Sequence, residues 1–493
     1  VTTSSEPTSS EPISPTEPVA AVVVLAAGGG TRMKSTRSKL LHEIAGRPLI
    51  AHAINAAETV PSQHLVVVVG VMADQVEPAL GQIAPNVHIV RQSEDAYGTG
   101  HAVRCAMEAL GDLHGEVVVT LGDSPMLTGQ TLHRLVVHHR SEQNAATVLT
   151  AHVPDPAGYG RIIRDGSGTV VRIVEHKDAT PDERAIDEIN SGVFVFDATA
   201  LADGLSRLTT HNSQGEYYLT DLPDIVQQQG GRVGAFVTED LWEVEGVNTR
   251  VQLAAMNREM NRRICEHWML EGVTILDPET TWIHADVDLS PDVTLLPGTS
   301  LEGTTVVGSG SVIGPDTTLR DVEIGEDATV CRTHGSLAVI GARANVGPYA
   351  YLRPGTVLEA EGKIGTFVET KNAKIGRGAK VPHLSYAGDA EIGEGANIGA
   401  GTIFANYDGV DKHHSSVGRF SFIGSDSVLV APVRIADGAY VAAGSAITDD
   451  VAAGELGIAR GRQHNSSGWV LRNRAGTRTA EAAEAADSDR GDH

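Results

Sequence analysis

The run Ala26-Ala27-Gly28-Gly29-Gly30-Thr31-Arg32-Met33 follows seven apolar residues, Val19 to Leu25, and Lys39 lies six positions beyond Met33. Glycines let backbone N–H groups approach a phosphate chain without Cβ interference, and the positive end of a following helix adds attraction. With Arg32 and Lys39 close behind, this turn is suited to a nucleotide. Two phosphate loops nearly match and both fail at Met33. A dinucleotide fingerprint needs its third glycine there, and a P-loop needs glycine there before Lys34-Ser35. A plain glycine-rich turn after a strand is the alternative.

Other candidate groups follow. Val117–Leu121 ends in Gly122-Asp123, and Glu245-Gly246-Val247-Asn248 supplies a side-chain amide. A Mg²⁺ ion bridging a nucleotide needs only one or two protein oxygens, so Asp123 and Asn248 are candidate ligands. An Asp after a strand can equally cap the next helix. Gly98-Thr99-Gly100-His101 reads as a helix start or as a turn pressed against a base. Gly158-Tyr159-Gly160-Arg161, Glu175-His176-Lys177 and Asn190-Ser191-Gly192 read as ordinary loops or as a polar rim for a sugar. Far downstream lie Leu352-Arg353-Pro354-Gly355, Glu369-Thr370-Lys371, Pro382-His383-Leu384-Ser385-Tyr386 and Asn406-Tyr407-Asp408-Gly409. A lone histidine in a β-protein is more often structural, but His383 keeps company with Arg, Lys, Tyr and Asn amid aliphatics and glycines.

These groups need elements to hold them. From Val19 to about Asn248, short apolar runs (Leu65–Val69, Val87–Val90, Val117–Leu121, Thr147–Thr150) alternate with helical patterns such as Leu49–Thr59 and His101–Leu110. Such alternation predicts a mostly parallel sheet covered on both faces, with ligands beyond the carboxyl ends of the strands. Leu253, Met256, Met260, Ile264 and Trp268 then predict one long amphipathic helix ending near Glu271. From about Val273 an aliphatic residue precedes glycine every six residues, as at Val307-Gly308 and Ile313-Gly314, Ile340-Gly341 and Val346-Gly347, and Ile392-Gly393 and Ile398-Gly399. That is the hexapeptide beat of a parallel β-helix, a triangular prism with its aliphatics stacked inward. The beat breaks between Ile375-Gly376 and Ile392-Gly393, and again from Thr402 to Ser416. The predicted division is a disordered tail over 1–18, a nucleotide domain over 19–248, a linker helix over 249–272, a β-helix over 273–474 and a second disordered tail over 475–493.

Composition narrows the function. A formal charge of −25 over 493 residues argues against a nucleic-acid groove or an anionic membrane surface, so any anionic substrate must be met by local cations. No apolar stretch approaches a membrane span, and the N-terminus is unlike a signal peptide. Three widely spaced cysteines, Cys105, Cys265 and Cys331, suggest neither a disulfide framework nor a zinc site, and a cytoplasmic location is expected.

The string Leu-Ala-Ala-Gly-x-Gly-Thr-Arg-Met with a later Lys resembles the signature of sugar-1-phosphate nucleotidyltransferases, and the order of the later motifs extends that resemblance across the first half. It implies an α/β Rossmann-like domain in which Leu25, Ala26, Ala27, Gly28, Arg32 and Lys39 contact the nucleotide. Gln92, Gly98 and Thr99 would read the pyrimidine, Asp123 and Asn248 would hold Mg²⁺, and Gly160, Glu175, Asn190 and Asn248 would line the sugar and nucleotide site. The chain departs from the family where Ser38 replaces the usual Pro before Lys39, and by one extra residue between Gln92 and Gly98. The stretch from Gly160 to Glu175 is also one residue long, which a hairpin tip at Asp165–Gly168 would absorb.

From Tyr351 to Arg460 the chain resembles the acetyltransferase half of the bacterial bifunctional N-acetylglucosamine-1-phosphate uridylyltransferases/glucosamine-1-phosphate N-acetyltransferases, with both domains in the expected order. The resemblance implies a left-handed coil. Arg353, Lys371, Tyr386 and Asn397 would bind glucosamine-1-phosphate, and His383 would be the general base. Ala400, Asn406, Tyr407, Ser425, Ala443 and Arg460 would line an acetyl-CoA groove, in a homotrimer with sites between neighbouring prisms. The expected substrates are glucosamine-1-phosphate, acetyl-CoA, UTP and N-acetylglucosamine-1-phosphate, and the product is a precursor of bacterial cell-wall polymer. Two other readings stand beside this one. The prism could be only an oligomerisation or regulatory platform for a nucleotidyltransferase, or the whole chain could be a non-enzymatic scaffold.

Overall fold

The computed structural model describes residues 17–93 and 96–488, so most of the first predicted tail lies outside the described residues. Contacts divide the chain into two units: one runs to Pro291 and includes Leu295–Thr305, and the other comprises Asp292–Thr294 and the chain from Val306 on.

The first unit is built on strand Val19–Ala26, whose eight residues are all buried. Such a strand must be flanked on both sides, and it pairs in parallel with Ser62–Val69 and Glu116–Leu121. Across the sheet the order is Val233–Val237, Ala146–His152, Glu188–Asp197, Glu116–Leu121, Val19–Ala26, Ser62–Val69 and His88–Arg91. Glu188–Asp197 alone on this path runs antiparallel to its neighbours. Two apolar layers sandwich the sheet because alternate strand residues face opposite sides: Val22 and Val24 join one, Ala21 and Val23 the other. The carboxyl ends of Val19–Ala26 and Glu116–Leu121 therefore open side by side. Asp165 turns the hairpin between Arg161–Arg164 and Val170–Val174, its side chain accepting from the N–H groups of Ser167 and Thr169.

The predicted linker helix forms as Arg250–Leu270, opened by a capping box between Thr249 and Gln252. Its Met256 and Cys265 are buried, and Asn261 bonds the backbone of Thr281 and Ile283, joining the helix to the first coil residues within the same unit.

In the second unit each coil lays three short parallel strands on the coil before it. One inward row runs Ile324, Ile340, Leu358, Ile375, Ile392, Val417 and Ile435 in direct register. A second row begins Ile313, Val330, Val346, Ile364 and Val381. Each such side chain, fully buried, contributes about 1.5–3 kcal/mol, so the prism is held by repetition and not by any single contact. Two faces are joined by strands that turn the corner on one left-handed residue, at Asp321, Leu337, Asn372 and Asp389. The sequence break after Gly376 does not interrupt the coil: Lys380–His383 and Tyr386–Ile392 keep parallel register with the preceding turn. The second break does leave the prism, as a loop from Asn406 to His414.

The second predicted tail needs a correction. Residues 478–488 form a helix, Arg478–Ser488. Low apolar content spoke for disorder, but alanine and glutamate are strong helix formers and need no core to favour the helical backbone.

Gly341 lies where a Cβ would approach the backbone nitrogen of Ala360, in the next coil, to 2.5 Å, whereas a Cβ on Gly378 would meet nothing within 4 Å. Gly341→Ala should therefore lower the melting temperature well beyond Gly378→Ala, whose cost is the roughly 1–2 kcal/mol of a left-handed backbone. Equal losses by calorimetry would remove coil spacing as the constraint.

Candidate active sites

In the first unit the glycine loop, the end of the central strands and Asn248 close on one cleft. Leu25, Ala26, Ala27, Gly28, Gly29, Lys39, Gln92, Gly98, Thr99 and Asp123 line a cavity of about 380 Å³. Arg32, Asp123, Gly160, Glu175, Asn190 and Asn248 line an adjoining one of about 310 Å³, which shares Leu25, Thr99, Leu121 and Asp123. All the residues nominated for the first reaction thus border one continuous depression. One expectation is overturned. No α-helix follows the glycine loop; Thr31–Met33 is a single 3-10 turn, because Gly30 and Lys34 on either side are left-handed. Positive charge at the loop comes from side chains instead. Lys39 packs directly on Gly30, where any Cβ would sit 2.7 Å from its own.

Those side chains converge. Lys39 Nζ pairs with Asp123 Oδ2 and donates to Asn248 Oδ1 at 3.2 Å, and Arg32 Nη2 donates to the same Asn248 oxygen at 2.8 Å. The Lys39 and Asp123 side chains are only 10% and 19% exposed, so the pair is held out of bulk solvent. Asp123 is not a helix cap: the next helix, Gly129–Ser141, is capped by Thr128. The carbonyl of Asp123 instead accepts from Val247 N–H, which fixes Asn248 beside it. A residue that sequence reasoning passed over, Glu243, anchors this segment. Buried to 4% exposure, its carboxylate accepts from the hydroxyls of Thr128, Thr131 and Thr238. No motif in the sequence marks it, since two of its three partners, Thr128 and Thr131, lie more than a hundred residues away at the start of another helix.

On the sugar side, a methyl on Gly160 would lie 3.5 Å from Asn190 Cβ and 3.6 Å from Glu175 Oε1, so the three nominated residues meet. Burial raises the Glu175 carboxyl, which accepts from Thr220 Oγ1 at 3.0 Å. Burial first, and then the neighbouring Glu175, push Asp221 from 3.8 up to about 6.

Ser38, in the place of the family proline, is 2% exposed and keeps an N–H that proline would lack. Gln75 meets it: Ser38 N–H donates to Gln75 Oε1 at 2.8 Å, while Gln75 Nε2 donates to Thr36 O at 2.8 Å.

In the second unit the nominated residues divide between places on one prism. His383 ends strand Lys380–His383 and is exposed, and its carbonyl accepts from Gly401 N–H at 3.2 Å, so Ala400 turns the next coil's corner directly beside it. Ser425 and Ala443 continue that corner: Asp426 N–H bonds Ala400 O, and Gly444 N–H bonds Ser425 O. Arg460 lies beyond them, exposed, after the last coil strand Leu456–Gly457. The adjacent face carries Tyr386 in register with Glu369 and Lys371 in register with Gly388. Arg353 donates to Glu369 at 2.9 Å, which holds the guanidinium pKa up, and neighbouring Lys412 holds that of Lys371 down. Asn406 is buried at a different corner, donating to Asp389 at 2.5 Å, with Tyr407 exposed beside it. Asn397 sits on the face of strand Lys380–His383, in register with Lys380 and Phe422, and not on the face that carries Lys371 and Tyr386.

A strand-end cleft lined with cations, joined in one chain to a hexapeptide prism, is the architecture expected of a nucleotidyltransferase fused to an acyltransferase. The comparisons agree. The profile of the MobA-like NTP transferase domain matches residues 22–177. The bifunctional protein GlmU of Kineococcus radiotolerans is 56% identical over 471 residues, 95% of this chain and 96% of its own. That of Streptomyces avermitilis is 55% identical over 469 residues, 95% and 97% of the two chains, and that of Corynebacterium efficiens is 52% identical over 471, 94% and 96%. The chain belongs to the GlmU family, the bifunctional N-acetylglucosamine-1-phosphate uridylyltransferases/glucosamine-1-phosphate N-acetyltransferases. It carries both activities, with nucleotide and acetyl-CoA as substrates. Because the similarity runs through both units, the prism is more than a platform. Among the described residues no helix is long and apolar enough to cross a membrane, and all three cysteines are free.

Two outcomes follow from this geometry. The unfolded-state Asp221 loses its proton near its ordinary pKa while the folded one holds it to about 6, so folding stability declines as pH rises across that window. Asp221→Asn should leave stability unchanged near pH 4 and raise it above pH 6 by about 1 kcal/mol, a two-unit shift discounted for a half-exposed group. Urea titrations at the two pH values check this, and equal effects at both would refute it. Gln75→Ala should cost about 1–3 kcal/mol by orphaning the Ser38 N–H. Adding Ser38→Pro, whose backbone φ of −53° a proline accepts, should recover much of that loss. A double-mutant cycle with no coupling would sever the two residues.

Proposed function

We propose that the first unit transfers UMP from UTP to N-acetylglucosamine-1-phosphate, releasing pyrophosphate, and that the prism acetylates glucosamine-1-phosphate to supply it. The division runs at about residues 248 and 273, with helix 249–272 between. The convergence of Lys39, Arg32, Asp123 and Asn248 carries the first assignment. A phosphate oxygen of the sugar phosphate attacks the α-phosphorus of UTP, and the bond to pyrophosphate breaks. The nucleophile is already anionic at neutral pH, so no protein base is required. What the chain must do is align two phosphates and offset their repulsion. Loop amides from Ala26 to Gly29 with Arg32 and Lys39 do so, Gln92, Gly98 and Thr99 seat the base, and Gly160, Glu175 and Asn190 hold the sugar.

Asp123 and Asn248 would hold Mg²⁺. They fit because both side-chain oxygens already turn toward one cationic centre, the Lys39 ammonium, and one carboxylate with one amide carbonyl is the sparse oxygen set this ion accepts when phosphates complete its shell. Bound there, the ion would neutralise phosphate charge as a Lewis acid.

In the prism, Arg353 and Lys371 bind the sugar phosphate beside Tyr386 and Asn397. His383 takes a proton from the glucosamine nitrogen as that nitrogen attacks the acetyl thioester, forming the amide and expelling CoA thiolate. Ala400, Ser425, Ala443 and Arg460 form one wall for acetyl-CoA, and Asn406 and Tyr407 the other. Because these groups occupy different corners and faces of a single prism, a homotrimer that sets one prism's corner against another's face would assemble them. An exposed apolar ridge at His383's corner supports this, with Tyr349 stacked on Phe367 at 5.4 Å and Leu384 above them. The setting is cytoplasmic, where UTP and acetyl-CoA are found.

His383→Ala should lower acetyl transfer at least about 100-fold and leave uridylyl transfer intact. Asp123→Ala should do the reverse and shift the Mg²⁺ titration. Assaying purified protein with each substrate omitted in turn reads both reactions, and loss of both activities in either variant would defeat the two-site division. Leu384→Asp should weaken the trimer by light scattering and take acetyl transfer with it.

A further inference from the structure

A polar chain stands behind the pyrimidine side of the cleft. Gln92 follows strand His88–Arg91, and its backbone N–H bonds Val69 O. Its side-chain nitrogen Nε2 makes two contacts, 3.1 Å to the carbonyl oxygen of Gly98 and 3.2 Å to Nδ1 of His101. The Gly98 carbonyl can only accept, so it decides which end of the amide is which, and both Nε2 hydrogens are then committed. His101 Nδ1 must accept the second of them. The imidazole therefore carries its proton on Nε2, which lies 3.2 Å from Ser93 Oγ and 3.8 Å from Cys105 Sγ. His101 is 6% exposed, in the first turn of helix Thr99–Leu110, and stands behind Gln92 without lining the cleft itself. Gln92 Oε1 has no protein donor among the described residues, and Gln92 lines the cleft.

We infer that His101 is a positioning residue for base choice: by accepting the second Nε2 hydrogen it holds the amide in the orientation that the Gly98 carbonyl selects, with Oε1 toward the base, so that the site takes uracil and rejects cytosine. This rests on the reading above that Gln92 meets the pyrimidine. Uracil presents N3–H, a donor, to that oxygen. Cytosine presents N3 as an acceptor, so two lone pairs would face each other. Thymine shares uracil's edge and is not distinguished by this device.

The test compares kcat/KM for UTP, CTP and dTTP in uridylyl transfer by the full chain. His101→Asn offers an amide oxygen near the place of Nδ1 and should keep the UTP:CTP preference within about threefold. His101→Phe, which keeps the ring without an acceptor, and His101→Gln, which moves its polar group to the Nε2 side, should each lower it about tenfold, the scale of one lost polar discrimination. The dTTP:UTP ratio should stay as in the wild type in all three. Gln92→Ala is the reference and should abolish the preference. If Gln92→Ala removes the preference while His101→Phe and His101→Gln retain it, His101 does not orient the amide. A uniform loss toward all three nucleotides would mean only packing and would also overturn the inference. If Gln92→Ala itself leaves the preference unchanged, the base contact fails first and the inference with it.

Discussion

The pairing of Lys39 with Asp123 organises the strand-end cleft of the first unit. The two residues are 84 positions apart: Asp123 follows strand Glu116–Leu121, and Lys39 opens the 3-10 turn Lys39–Leu41. In a chain of formal charge −25 an anionic substrate is repelled at long range, so cations must be concentrated where phosphates bind. Left alone, such cations would repel one another. Asp123 and the Asn248 oxygen hold Lys39 and Arg32 together. The sheet's role is to bring those strand ends side by side, and buried Glu243 keeps the Asn248 segment against them.

The second unit meets a different constraint. A prism whose interior is aliphatic and whose corners are backbone in close contact has no room inside for polar chemistry. Reactive groups must therefore ride on corners and outer faces. Stacking fixes the vertical spacing of such groups, which is why Ala400, Ser425 and Ala443 form a row beside His383. Triangular geometry also keeps different faces of one chain apart.

Much of this was legible in the residue order. The glycine loop with Arg32 and Lys39, the alternation of strand and helix, and the six-residue beat depend on local rules of backbone and side-chain period, which act over a few residues. The hairpin tip at Asp165 was also readable, because an Asx turn is a local hydrogen-bonding pattern. What local rules suggest can still mislead: a helix was expected after Gly30, and the left-handed Lys34 ended it after one 3-10 turn. The break after Gly376 looked like an interruption, yet the coil absorbed it by keeping strand register.

By itself, the sequence determined which residues carry charge, where the chain turns and which side chains repeat at inward positions, since those follow from residue type and short-range spacing. Tertiary structure decided the rest: that Asp123 holds Lys39 instead of capping a helix, that Gln75 satisfies the N–H left by Ser38, and that Gly98 and His101 set the face Gln92 shows to the cleft. Each of these is a hydrogen bond or ion pair between segments that no periodicity links. Their partners are chosen by burial, which makes an unmatched donor or charge costly wherever the fold happens to bring it.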